Sequence, residues 1–115
     1  GDHLNFRGSR DCPEEIVSGS WDGTARVWDT KTGACKHVLE GHQHAVSVLS
    51  LPNGIVITGS QDKSLRLWFK GNLQKEIPNA HDDIIREIDE VPGLGFVSCS
   101  NDESVKLWTT DGSLI

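Results

Sequence analysis

The stretch Val56-Ile-Thr-Gly-Ser-Gln-Asp-Lys-Ser-Leu-Arg-Leu-Trp68 decides the fold, because the chain carries it in three versions. Ile16-Val-Ser-Gly-Ser-Trp-Asp-Gly-Thr-Ala-Arg-Val-Trp28 and Phe96-Val-Ser-Cys-Ser-Asn-Asp-Glu-Ser-Val-Lys-Leu-Trp108 align with it without gaps. Asp22, Asp62 and Asp102 fall 40 residues apart, as do Trp28, Trp68 and Trp108; upstream, Gly41-His42 and Ala80-His81 are spaced 39. Three aspartates and three tryptophans in one register mark an internal repeat, and a repeat of this length dictates the architecture.

Within each repeat the apolar rhythm is that of strands. Val46 and Val48 alternate with Ala45 and Ser47, and Leu49 and Leu51 flank Ser50. Pro52-Asn53-Gly54 then turns the chain into Ile55–Ser60, Gln61-Asp62-Lys63 turns it again into Ser64–Phe69, and Leu73–Ile77 follows Gly71-Asn72. The third repeat follows the same plan with Ile84–Asp89, Phe96–Ser100 and Val105–Thr109; the first has Ile16–Ser20, Thr24–Asp29 and Cys35–Leu39. Sustained helical periodicity is absent. Four short antiparallel strands in about 40 residues make one propeller blade, so the reading is all-β: about two and three-quarter four-stranded blades over 1–40, 41–79 and 80–115. The N-terminal stretch His3–Pro13 does not read as an innermost strand of the first blade, and the outer strand of the third is cut short.

Composition narrows the function. The 115 residues carry 11 Lys+Arg against 17 Asp+Glu, a formal net charge of −6, which argues against a non-specific nucleic-acid binder. No apolar run approaches the roughly 20 residues that cross a bilayer. Cys12, Cys35 and Cys99 are odd in number and far apart, so neither a disulfide framework nor a zinc site is expected. The natural compartment is a reducing one, the cytoplasm with the nucleus. No Gly-rich phosphate loop, nucleophile elbow or metal cluster appears, so neither a catalytic residue nor a cofactor is expected.

The recurrent polar residues read as a latch inside each blade. In the second repeat His42, Thr58, Asp62 and Trp68 form the set. The turn aspartate accepts from backbone N–H groups and from the imidazole, the imidazole meets the hydroxyl, and the hydroxyl meets the indole N–H. Buried polar groups are tolerable in such a chain because every member is satisfied. The third repeat supplies His81, Ser98, Asp102 and Trp108; the first supplies Ser18, Asp22 and Trp28, with His3 as the candidate histidine. The same register assigns His42 and His81 to structure rather than to a metal, and separates the aspartates into different blades, where they cannot act as a catalytic pair.

The Gly-His … Ser/Thr-x-x-x-Asp-x5-Trp pattern resembles the WD40 repeat over about residues 16–115. Departures are Ala80 before His81, and a terminal Trp-Asp only at Trp28-Asp29. More narrowly, Ser20-Trp21-Asp22, Leu51-Pro-Asn-Gly54 and Phe96-Val-Ser-Cys-Ser-Asn-Asp102 are similar to consecutive middle blades of the phospholipase A-2-activating protein family. That resemblance implies an N-terminal propeller that binds ubiquitin, in an adaptor serving the AAA+ unfoldase valosin-containing protein in ubiquitin-dependent degradation and ubiquitin homeostasis. The unfoldase is reached only through family domains absent from these 115 residues. Propellers close with about 4–8 blades, so the chain reads as a fragment with apolar blade faces to cover.

The WD40 resemblance also implies where partners bind: on the face carrying the turns between second and third strands and the loops entering the first. On that face stand Trp21, Gln61 and Asn101, each preceding a turn aspartate, with Ala45, Ser47, Ile84 and Arg86 after the histidines. An exposed Trp beside small and apolar residues suits ubiquitin's shallow hydrophobic patch. A ubiquitin-ligase substrate receptor of the same fold is the alternative, but a receptor for phosphorylated degrons gathers several arginines on this face, and only Arg86 falls there. A scaffold without ubiquitin affinity is the other.

Overall fold

A four-stranded sheet of five-residue strands cannot bury both of its faces by itself, so stacking against like sheets is what makes it stable. The computed structural model describes residues 3–5 and 14–115 and shows that stacking. The first sheet has the order β1 (His3–Asn5), β2 (Glu15–Gly19), β3 (Ala25–Asp29) and β4 (Cys35–Leu39). The second runs β5 (Val46–Ser50), β6 (Ile55–Ser60), β7 (Leu65–Phe69) and β8 (Asn72–Ile77). The third has β9 (Ile85–Val91), β10 (Gly95–Ser100) and β11 (Val105–Thr109), and a single bridge from Trp108 to Leu114 starts an outer fourth position. Every pairing is antiparallel between strands adjacent in sequence.

Two cores lie between the sheets. Val17, Ala25, Val27 and Leu39 of blade 1 face Val46, Val48, Val56 and Trp68 of blade 2. The other face of blade 2, with Leu49, Ile57, Leu65 and Leu67, meets Ile85, Ile88, Phe96 and Trp108 of blade 3. Phe96 and Trp108 stack with ring centroids 6.2 Å apart. The three inner strands of blade 2 thus send alternate side chains to opposite neighbours, which explains why β6 is buried nearly throughout. Close approach is paid for in side-chain volume at Gly19, where a Cβ would lie 2.5 Å from the Val46 carbonyl oxygen. At the matching residue of blade 2, Gly59, a Cβ would meet side-chain methyls rather than backbone: Ile85 at 3.0 Å, Leu65 at 3.2 Å and Ile88 at 3.3 Å.

Three sequence expectations are corrected. Blade 1 does have an innermost strand, but it is three residues long; the rest of His3–Pro13 lies outside the described residues. Its register puts His3 opposite Gly19, the position that Ser47 holds opposite Gly59 in blade 2, so His3 does not occupy the site of His42. Cys99, aligned with Gly19 and Gly59, and Trp28, aligned with Trp68 and Trp108, read from the repeat register as buried, but both are half-buried. Cys99 belongs to a blade 3 face that no other described residues cover. On that face Val105 is 68% exposed, where its counterparts Leu65 and Ala25 are 0% and 1% exposed.

Candidate functional site

The turn joining second and third strands needs an acceptor for its own backbone, and an aspartate three residues before the third strand supplies it. Asp62 Oδ1 accepts from the Ser64 N–H at 2.9 Å and from the Ser64 hydroxyl; its Oδ2 accepts from the Gln43 N–H at 3.0 Å. The remaining contact ties the turn to the loop entering β5: His42 Nδ1 lies 3.0 Å from Asp62 Oδ2. From there His42 Nε2 stands 2.6 Å from Thr58 Oγ1, which accepts from Trp68 Nε1–H at 3.0 Å. With Thr58 taking the indole proton and donating its own to Nε2, the imidazole must carry its hydrogen on Nδ1, facing the carboxylate. The relay crosses the blade from outer turn to sheet centre with every buried group satisfied.

Blade 3 repeats it. His81 Nδ1 is 3.0 Å from Asp102 Oδ2 and Nε2 is 2.7 Å from Ser98 Oγ, which accepts from Trp108 Nε1–H at 2.8 Å. In blade 1 the Trp28 N–H reaches Ser18 Oγ at 3.0 Å and Asp22 accepts from the Thr24 N–H at 3.0 Å, without a histidine between them among the described residues. Trp28 is correspondingly the least buried of the three latch tryptophans.

Electrostatics follow from the bonding. Burial raises the Asp62 carboxyl, but the bonds from Ser64, Gln43 and His42 outweigh it and hold the group at about 2. Asp102 is held well below the usual carboxylate range, first by the Ser104 hydroxyl and then by the Asp82 and Ser104 N–H groups. Asp22 is lowered mainly by the Thr24 hydroxyl. Burial pushes the His42 imidazole down, against the pull of Asp62, so it is neutral at pH 7. Neutral imidazole is the form the relay requires.

Sequence reasoning missed the hydroxyls that complete the latch. Ser64 and Ser104 stand within 3.1 Å and 3.0 Å of the histidine Nδ1 atoms as well as on the aspartates. Ser60 Oγ donates at 3.1 Å to the carbonyls of His44 and Ala45 and accepts from the Asp62 N–H; Ser100 Oγ does the same for Asp83 and Asp102. Their signal was in plain view: hydroxyl residues recur at 20, 60 and 100 and at 24, 64 and 104. The repeat register places Arg66 and Lys106 on third strands and says nothing more of them. In the structure they reach back to the Glu40 and Ala80 carbonyls, at 3.3 Å and 2.8 Å. The Arg66 guanidinium fills the space a side chain at Gly41 would need.

The latch holds three turns along one rim. Ala45, Ser47, Gln61, Ile84 and Arg86 come together there, with Val46 and Ile85, around a groove of about 200 Å³ between blades 2 and 3. Backbone bonds fix its walls: the Gln61 N–H donates to Ala45 and the Asn101 N–H to Ile84, each at 3.1 Å. Ser47 Oγ donates to the Arg86 carbonyl at 3.1 Å and joins the two blades, so its hydroxyl is part of the wall. Asn101 is exposed on the adjoining turn. Trp21, 70% exposed, sits on the turn whose Ser20 carbonyl accepts the Val46 N–H at 3.3 Å, beside the groove on the blade 1 side. That turn can lie so close because its Gly23 has φ 87°, and a Cβ there would fall 2.3 Å from the His42 carbonyl oxygen. Among the described residues no group of three or more His, Cys, Asp or Glu is placed to hold a metal ion.

This geometry has close parallels. The sequence profile described as "WD domain, G-beta repeat" matches residues 4–29 and 33–68. The ubiquitin homeostasis protein lub1 of Schizosaccharomyces pombe is 52% identical over 102 residues, covering 89% of this chain and 14% of that protein. Lissencephaly-1 homolog 1 of Paramecium tetraurelia is 37% identical over 97 residues, covering 81% of this chain and 24% of that protein. Among solved structures, the WD40 β-propeller domain of Doa1 superposes with a TM-score of 0.79 at 32% identity, covering 97% of this chain and 37% of that one. The computationally designed Ika4 protein superposes with a TM-score of 0.76 at 30% identity, over 92% of this chain and 63% of that one. The chain therefore spans a small part of the curated relatives it matches.

Proposed function

The chain belongs to the WD40 repeat family, and on that premise we propose that it is a non-enzymatic interaction module that binds ubiquitin on the rim carrying Trp21. The observation that carries this reading is the grouping of Ala45, Gln61, Ile84 and Arg86 around one shallow groove, with a solvent-facing indole beside it. An exposed aromatic next to small and apolar side chains, rimmed by polar ones, fits a shallow apolar patch on a folded partner. Similarity to the ubiquitin homeostasis protein lub1 supports a role in ubiquitin homeostasis, and similarity to the Doa1 propeller supports the fold that carries the rim. The reading extends to ubiquitin-dependent degradation in the cytoplasm and nucleus. Engagement of an AAA+ unfoldase belongs to other domains of such adaptors.

Titration of ¹⁵N-labelled ubiquitin tests the proposal. Residues of its hydrophobic patch shift on addition of the protein, Trp21→Ala weakens the shifts about tenfold or more, as for an interface anchor, and Ile84→Ser weakens them less. Unchanged ubiquitin spectra, or equal binding by Trp21→Ala, contradict it.

A further inference from the structure

A second groove lies at the opposite end of the strands, between blades 1 and 2. Its volume is about 360 Å³, within the range of ligand-sized sites. Val27 and Leu39 of blade 1 and Val56 and Trp68 of blade 2 form its apolar floor, and Phe69, 37% exposed, forms a side. His37 joins the two walls, its ring so near Gly71 that a Cβ there would lie 2.4 Å from Nδ1.

The charges at its mouth are unequal. On the blade 1 wall Lys36 is engaged by Glu15. On the blade 2 wall the Lys70 ammonium stands 5.3 Å from the Phe69 ring centroid, with no carboxylate partner among the described residues. An unpaired cation beside an exposed ring and an apolar floor is complementary to a carboxylate next to an apolar side chain. We propose that this groove docks a short acidic peptide segment, which seats an apolar side chain against the exposed Phe69 ring at the edge of Val56 and a carboxylate on Lys70. It is separate from the rim around Trp21, so a peptide and a rim partner can bind together.

The probe is a fluorescein-labelled peptide with blocked ends, Gly-Asp-Leu-Asp-Phe-Glu-Gly, titrated by polarisation, with methyl NMR locating the contact. The Val56 methyls shift, and Lys70→Glu weakens binding about fivefold or more by reversing the charge. Lys63→Glu, the same charge change on an exposed turn at the other end of β6–β7, has no effect, and the Asn/Gln version of the peptide binds more weakly than the acidic one. Lys70 is exposed, so its substitution leaves the fold intact. Absence of binding overturns the proposal, as do shifts at Ile84 instead of Val56, equal binding by Lys70→Glu, or equal binding of the neutral peptide.

Discussion

Replacing Thr58 with valine removes one hydroxyl and almost no volume, at a residue only 1% exposed. The hydroxyl is the midpoint of the blade 2 relay, accepting from the Trp68 indole and facing His42 Nε2. Valine leaves both buried groups without a partner. At about 1–3 kcal/mol for each, the loss comes to about 2–6 kcal/mol. Thr58→Ser does the reverse: it keeps the hydroxyl, removes a methyl, and costs about 1 kcal/mol. Serine is what blades 1 and 3 carry in the same place, at Ser18 and Ser98, both bonded to their tryptophans. Urea unfolding followed by tryptophan fluorescence resolves the two variants. If Thr58→Val proves no less stable than Thr58→Ser, the relay contributes nothing and the reasoning fails.

Other outcomes follow from the same structure. Gly19→Ala is expected to cost about 2–3 kcal/mol and Gly59→Ala about 1–2 kcal/mol, because the first meets a backbone carbonyl at 2.5 Å and the second side-chain methyls at 3.0–3.3 Å, which need shift only by tenths of an ångström; thermal unfolding ranks them. Acidification destabilises the protein. Asp62 is held at about 2 against 3.8 for a free carboxyl, so its contribution, roughly 2 kcal/mol, is fully present above pH 4 and lost as pH falls through 2. His42, lowered by burial, adds a loss of the same sign below its ordinary value of 6.5. Asp62→Asn removes the carboxylate share of that slope in unfolding measured across pH. Trp21→Ala leaves stability within about 0.5 kcal/mol of the parent, since its ring is exposed.

Much of the fold was legible because the repeat imposes one register on all three blades. The 40-residue spacing of Asp22, Asp62 and Asp102 located the turns, and the alternation in Ile55–Ser60 located a strand that the structure reproduces residue for residue. The latch of blade 2 was legible for the same reason. Less was visible where a residue's role depends on a neighbour supplied by another blade. Nothing in the composition of Val105 distinguishes it from Leu65; what differs is that blade 3 covers one of them. Spacing left the place of His3 open, because a latch depends on pairing register and not on a count of residues. The part played by Ser47 between the blades is likewise invisible in sequence, since its acceptor lies 39 residues away. Gly41 shows the opposite limit: its requirement comes from the length of one side chain, Arg66, on the third strand.

The relay also fixes which nitrogen of each buried histidine holds the hydrogen, and ¹⁵N NMR of the imidazoles reads that directly. For His42 and His81 the account predicts a pyrrole-like Nδ1 facing aspartate and a bare, pyridine-like Nε2 facing the hydroxyl. The reverse pattern, with hydrogen on Nε2, would mean that the hydroxyls do not pass the tryptophan's bond onward and that the blades are held together in some other way.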